Sequence, residues 1–258
     1  MPLKAVDEAR RILAEAGRRH VLIRLLGGTA ILMRCPSAGS PPFERTRAPD
    51  IDLAGLRKEN GGIKEVFEAV GYEPNQNFNA LHGYKQLMFY GPDGDPKVDV
   101  FLDEFAMCHR LDLRPRLPRS RITLPLADLL FTKLQVVQIN EKDLKDIAAL
   151  LLDHEIANGE QEDAVDAAYL ADMAAGDWGI YTTLTDNLDK TRSYVADLPL
   201  PADAATKILG RIDGIRGMLD AAPKTMGWKL RARIGRRVAW YALPDEPTTI
   251  VMGGERKP

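Results

Sequence analysis

At 258 residues the chain can bury a sizeable core, as one large domain or two, and its 45% hydrophobic and 28% charged content is ordinary for a globular protein. A formal net charge of −2 gives no overall attraction to nucleic acid or an anionic membrane, so any polyanion must be met by a local patch. No apolar stretch approaches the ~20 residues of a membrane span, and Lys4, Asp7, Glu8, Arg10 and Arg11 interrupt any signal-peptide core.

The two cysteines, Cys35 and Cys108, fall in no metal-ligand spacing, so reduced thiols and a cytoplasmic location are expected. Residues 3–16 carry Leu3, Val6, Ala9, Ile12, Leu13 and Ala16 near helical spacing, with Gly17 as a stop, and predict a core-packing helix. Residues 21–26 read as a buried strand. Gly27-Gly28-Thr29 follow it, and a helix is expected to start at Thr29. Backbone approaches a ligand closely where Cβ atoms are absent, and a helix N-terminus offers free N–H groups to an anion. A plain turn is the competing reading of the two glycines.

Residues 35–49 hold Pro36, Ser37, Gly39, Ser40, Pro41 and Pro42 and predict an irregular loop. Arg45 and Arg47 near its end either reach a bound triphosphate or acceptor, or are solvated loop charges. Asp50-Ile51-Asp52 comes next, in a strand pattern whose period of two puts both carboxylates on one face. Such a pair is costly unless a cation compensates, and it reads as half of a divalent-metal site.

Ile63, Val66, Phe67 and Val70 predict a short helix ending at Gly71. Residues 84–90 and 97–102 flank Gly91-Pro92-Asp93-Gly94-Asp95-Pro96 and predict a hairpin. Alternation places Lys97, Asp99 and Phe101 on one face of the second strand and Val98, Val100 and Leu102 on the other. Asp93 and Asp95 lack the spacing of a calcium loop and are read as turn residues. Met107-Cys108-His109 has no partners at a zinc spacing. His20, His82 and His154 read as surface or structural, and no Gly-x-Ser-x-Gly or Cys/His nucleophile pattern appears.

Pro125 opens a helix with Leu126, Leu129, Leu130, Leu134 and Val137 as its stripe and Lys133 beside it. Lys142-Asp143-Leu144-Lys145-Asp146 begins the next helix, where the two aspartates fix helix ends or pair with nearby bases. Beyond Asn158-Gly159 helices are expected over residues 164–174, 181–195 and 202–221. Lys229, Arg231, Arg233, Arg236 and Arg237 then interleave with Trp228, Trp240 and Tyr241. Cations can meet phosphates there while rings stack on bases. Alternatively the segment is an amphipathic helix with Trp and Ile packed inward and solvated Arg residues. The tail after Pro244 is expected to extend loosely, with disorder over residues 253–258.

Leu26-Gly27-Gly28, then Asp50-Ile51-Asp52, then Asp99 resembles the nucleotidyltransferase superfamily, in particular its minimal-nucleotidyltransferase and AbiEii-toxin-like branch. Asp128-Leu129-Leu130-Phe131-Thr132-Lys133-Leu134 and Lys142-Asp143-Leu144-Lys145-Asp146 are similar to the helical segment after the core in that branch. The likeness covers residues 20–155. The stretch between Gly28 and Asp50 is longer than that family's usual length, an insertion a surface loop absorbs cheaply.

The resemblance implies an α+β fold with a DNA polymerase beta-like mixed sheet and flanking helices in residues 1–155, followed by a helical domain in residues 156–258. It also implies transfer of a nucleoside monophosphate from a nucleoside triphosphate such as ATP to a hydroxyl. Asp50 and Asp52 would bind two Mg2+ ions, Asp99 would bind the catalytic one and assist as base, Gly27, Gly28 and Thr29 would hold phosphates, and Lys133 would clamp charge. The acceptor is an RNA end, a protein or a small molecule, with Lys229, Arg231, Arg233, Arg236 and Arg237 as the contact for RNA or protein. A toxin-like role with an antitoxin partner is implied by analogy alone. The alternative is a non-catalytic nucleotide-binding or interaction protein on the same scaffold.

Overall fold

Helix α1 (Pro2–Arg18) heads the chain in the computed structural model, which describes residues 2–45 and 49–243. Arg47 and the tail from Pro244 onward lie outside the described residues. Ala5, Ala9, Ile12 and Ala16 recur at helical spacing on α1 and are all buried, Ile12 alone contributing about 2 kcal/mol of apolar burial. The chain continues through β1 (Arg24–Leu26), α2 (Gly27–Arg34), β2 (Ile51–Gly55), α3 (Asn60–Ala69), β3 (Glu73–Pro74), α4 (Gln76–His82), β4 (Gln86–Tyr90) and β5 (Lys97–Leu102).

The five strands form one open sheet in the order β1-β2-β5-β4-β3. β2 and β5 run parallel at its centre, and the other neighbours are antiparallel, so the sheet is mixed and the class is α+β. Its register sorts side chains into two faces. Leu53 pairs with Leu25 and Val100, and Val100 with Leu87, all of them buried in the core. One residue along, Asp52 pairs with Leu26 and Asp99, which places both carboxylates on the opposite face. Phe67 of α3 stacks on Phe89 of β4 at 3.9 Å between centroids, fixing that helix to the sheet.

A small hairpin follows, β6 (Glu104–Ala106) with β7 (Arg110–Asp112), and Met107-Cys108-His109 forms its turn. The helical part comprises α5 (Leu126–Leu134), α6 (Glu141–Asp153), α7 (Ala167–Gly176), α8 (Trp178–Asp197), α9 (Ala202–Ala221) and α10 (Met226–Ile234), with β8 (Glu155–Ala157) and β9 (Ala164–Asp166) between α6 and α7. The sequence pattern starts a helix at residue 164, whereas the chain first pairs Ala164, Val165 and Asp166 in parallel with β8. The helix waits for its cap: the Asp166 side chain accepts from the Tyr169 amide. One hydrophobic cluster runs from Ala5 to Leu219, so α7, α8 and α9 share their core with α5, α6 and the sheet. Among the described residues there are ten α-helices, and none is long and apolar enough to cross a membrane.

Candidate active site

Strand β1 passes into α2 without an intervening residue. Leu26 is extended, and Gly27 turns the chain with φ +69°, a conformation costly for any residue bearing a Cβ. A Cβ at Gly27 would also collide with the Asp52 carboxylate, which lies against this bend at the start of α2. No side chain caps that helix start. A Cβ at Gly28 would come within 2.8 to 3.0 Å of the Arg45 guanidinium, so Arg45 folds back over the same turn. Thr29 is fully buried and donates its hydroxyl to the Asp50 carbonyl at 2.8 Å. That hydroxyl ties α2 to the entry of β2.

Asp50 precedes β2, and its carboxylate is exposed. Asp52 and Asp99 sit opposite one another on neighbouring strands. Asp99 is buried; its Oδ1 accepts from Gln86 Nε2 at 3.0 Å and its Oδ2 lies 2.8 Å from Lys97 Nζ. The same ammonium is 3.8 Å from Asp50 Oδ2, so Lys97 stands between two of the three aspartates. Burial, then the Asp99 charge, pushes the Asp52 carboxyl up to about 7, with Asp50 adding to the rise. Lys133 and Lys97 oppose that rise but do not cancel it.

Behind this face lies a second set of charges. Lys133 on α5 is 3.0 Å from Asp143 Oδ1 and 2.8 Å from Asp146 Oδ2, both on α6. Asp146 also holds Arg45. Burial lowers the Lys133 pKa, but Asp146 and Asp143 outweigh it and leave the ammonium above its ordinary value. The aspartates expected to pair with nearby bases do so, and the bases are Lys133 and Arg45.

Six of the seven residues singled out in the sequence, Gly27, Thr29, Asp50, Asp52, Asp99 and Lys133, are thus linked to one another by hydrogen bonds, register or charge, and Arg45 joins Gly28 to them. Among the described residues no group of three or more His, Cys, Asp or Glu side chains is set to hold a metal ion. Lys97 and Gln86 were given no role by the sequence. Lys97 was legible, two residues before Asp99 on an alternating strand; Gln86 becomes visible only with the hairpin register.

Other expected groups lie elsewhere. His109 is buried, with Nε2 2.8 Å from Thr183 Oγ1, and His154 bridges the carbonyls of Asp163 and Arg34. The basic segment forms α10 and the turn after it. Arg231 is bound to the carbonyls of Gly235 and Val238 and Arg236 to Asp186, while Lys229, Arg233 and Arg237 point to solvent. Comparison of the chain with protein-family models, with curated proteins and with solved structures finds no match.

Proposed function

We propose that the chain transfers a nucleoside monophosphate from a nucleoside triphosphate to a hydroxyl acceptor, on a nucleotidyltransferase-like fold. The observation that carries the reading is the in-register pair Asp52 and Asp99, set against the Gly27 bend at an uncapped helix start. An acidic face and an anion-binding helix end are adjacent there, as transfer of a phosphoryl group to a hydroxyl requires.

The donor types suit a hard divalent cation, but the three carboxylates are not gathered as an ion site here, and Lys97 Nζ stands between Asp50 and Asp99, so an ion would have to displace that ammonium. Three carboxylates supply oxygen ligands, and burial first, then the Asp99 charge, raises the Asp52 carboxyl to about 7. Asp50, Asp52 and Asp99 would hold magnesium, which supplies Lewis-acid polarisation of the phosphate and neutralises the departing pyrophosphate. Amides at the start of α2 and the Arg45 guanidinium hold the phosphate tail, and Gly27 and Gly28 leave the room that Asp52 and Arg45 take beside that bend. Lys133 fixes the position of Asp146, and through it of Arg45, while its charge steadies Asp52. Asp99 accepts the acceptor proton as the oxygen bonds to the α-phosphorus and the bond to the β-bridging oxygen breaks, releasing pyrophosphate.

The test is incubation with each labelled nucleoside triphosphate and with RNA, protein or small-molecule acceptor pools, following label uptake and pyrophosphate. Asp52→Asn is expected to abolish magnesium-dependent transfer with the fold intact, and transfer at the wild-type rate would overturn the assignment. A second reading, a non-catalytic nucleotide-binding protein, draws on the Lys97 ammonium between Asp50 and Asp99, a fixed cation in place of an exchangeable one. It predicts nucleotide binding without pyrophosphate from any pool. A cytoplasmic, toxin-like role with an antitoxin partner belongs to the same proposal and rests on the family resemblance.

A further inference from the structure

All three tryptophans of the chain line one open cavity of about 620 Å³, at the start of α8 and away from the aspartates in sequence. Trp178, Trp228 and Trp240 are joined there by Tyr241, Arg231 and Asp177. Each tryptophan is only half-buried, although large aromatic surface is costly to leave in water. The volume is that of a small-molecule site.

The pocket is built rather than incidental. Asp177 caps α8 by accepting from the Gly179 and Ile180 amides. A Cβ at Gly179 would come 2.6 Å from the Trp240 carbonyl, so a glycine admits the returning chain. Trp240 donates Nε1–H to Thr183 Oγ1 at 3.1 Å, and the Ala242 amide donates to the Cys108 carbonyl. Trp178 and Trp240 meet edge to face at 5.9 Å, and Arg231 lies 4.8 Å from the Trp178 ring centre, held by its carbonyl acceptors. The Trp228 indole N–H is buried with no hydrogen-bond partner among the described residues.

Lys229 and Arg233 on α10 and Arg237 in the turn after it are exposed and without an ion pair among the described residues, on the same segment as Trp228 and Arg231 but outside the cavity lining. In a chain of net charge −2 this is a local concentration of positive charge. Flat rings and a fixed guanidinium match a base, and the free cations on the same segment suit phosphates further along a strand.

We propose that this pocket binds an unpaired base of a single-stranded nucleic acid, with phosphates further along the strand on Lys229, Arg233 and Arg237. Binding stands apart from transfer; where the transferase reading also holds, the acceptor is a nucleic acid. The three tryptophans report the pocket directly. Intrinsic fluorescence of the full chain is followed as a short oligouridylate, its DNA equivalent, a duplex and uridine monophosphate are added. Quenching by a single strand, with a slope of about −2 in log affinity against log salt for three phosphate contacts, is expected. Preference between the RNA and DNA arms identifies the source. Trp228→Ala should weaken binding about tenfold or more. Lys229→Glu with Arg233→Glu, on the exposed side of α10, should cut that slope to about −0.7, the one contact left to Arg237, while leaving the melting curve unchanged. No quenching by either strand, unchanged affinity in the charge-reversed variant, or binding to phosphatidylserine vesicles without strand binding would each overturn the proposal. None of those outcomes bears on pyrophosphate release.

Discussion

The carboxylate of Asp52 lies against the backbone of Gly27, in space that a Cβ at residue 27 would occupy. With φ at +69° the position is also strained for any other residue. Gly27→Ala is therefore expected to displace Asp52, lower transfer on the order of a hundredfold and cost about 1–3 kcal/mol of stability. Gly28→Ala meets only the tip of Arg45, a side chain that can swing away, and should cost much less stability. Denaturant unfolding and pyrophosphate release measured on both variants separate the two effects; equal stability losses would contradict the packing described.

Asp52 makes stability depend on pH. Its folded pKa is raised from 3.8 to about 7 by burial and then by Asp99, so the folded state binds the proton more tightly than the unfolded chain. The stabilisation is complete below 3.8 and is lost as pH rises through about 7. Asp52→Asn, which cannot ionise, should be more stable than the wild type by up to about 4 kcal/mol at pH 8 and should lose that advantage towards pH 4. A difference independent of pH would refute this. Added magnesium should reduce the alkaline loss in the wild type alone.

Asp146 is the shared partner of two largely buried cations, Lys133 and Arg45, whose side chains are 13% and 11% exposed. Asp146→Asn leaves both without their main counter-charge and should cost about 3 kcal/mol in urea unfolding. Asp143→Asn should cost less, because Lys133 keeps Asp146. The reverse order would overturn this ranking of the two carboxylates.

Lys97 holds Asp52 down as well as bridging Asp50 and Asp99. Replacing it by methionine should raise the Asp52 titration further and move the acid limb of the transfer rate to higher pH. A pH–rate profile superimposable on the wild type would show that the ammonium does not act on this carboxylate.

What could be read before the fold was known follows from the range of each signal. β5 was legible to its end residues because Lys97, Asp99 and Phe101 alternate with Val98, Val100 and Leu102, and alternation is a local property. The same reading carried Asp50 into β2, but the strand begins at Ile51, and Asp50 is held instead by its carbonyl on Thr29. Thr29 looked like part of a phosphate cradle; its hydroxyl is committed to backbone 21 positions along the chain, which no local pattern reports. The partners of Asp143 and Asp146 were legible in kind and not in identity, since Lys133 and Arg45 are brought to them by the packing of α5 and of the loop before β2 onto α6.

Arg211 on α9 donates to the carbonyls of Leu151 and Leu152, both at 2.8 Å, closing the C-terminal end of the helix whose first turns carry Asp143 and Asp146. The last third of the chain thus acts as a splint for the charge network beneath the acidic face. That part is not a detachable module: Ile208, Ile212, Ile215 and Leu219 of α9 are buried in the same core as α6, so a chain cut after α6 would expose the apolar surface they cover.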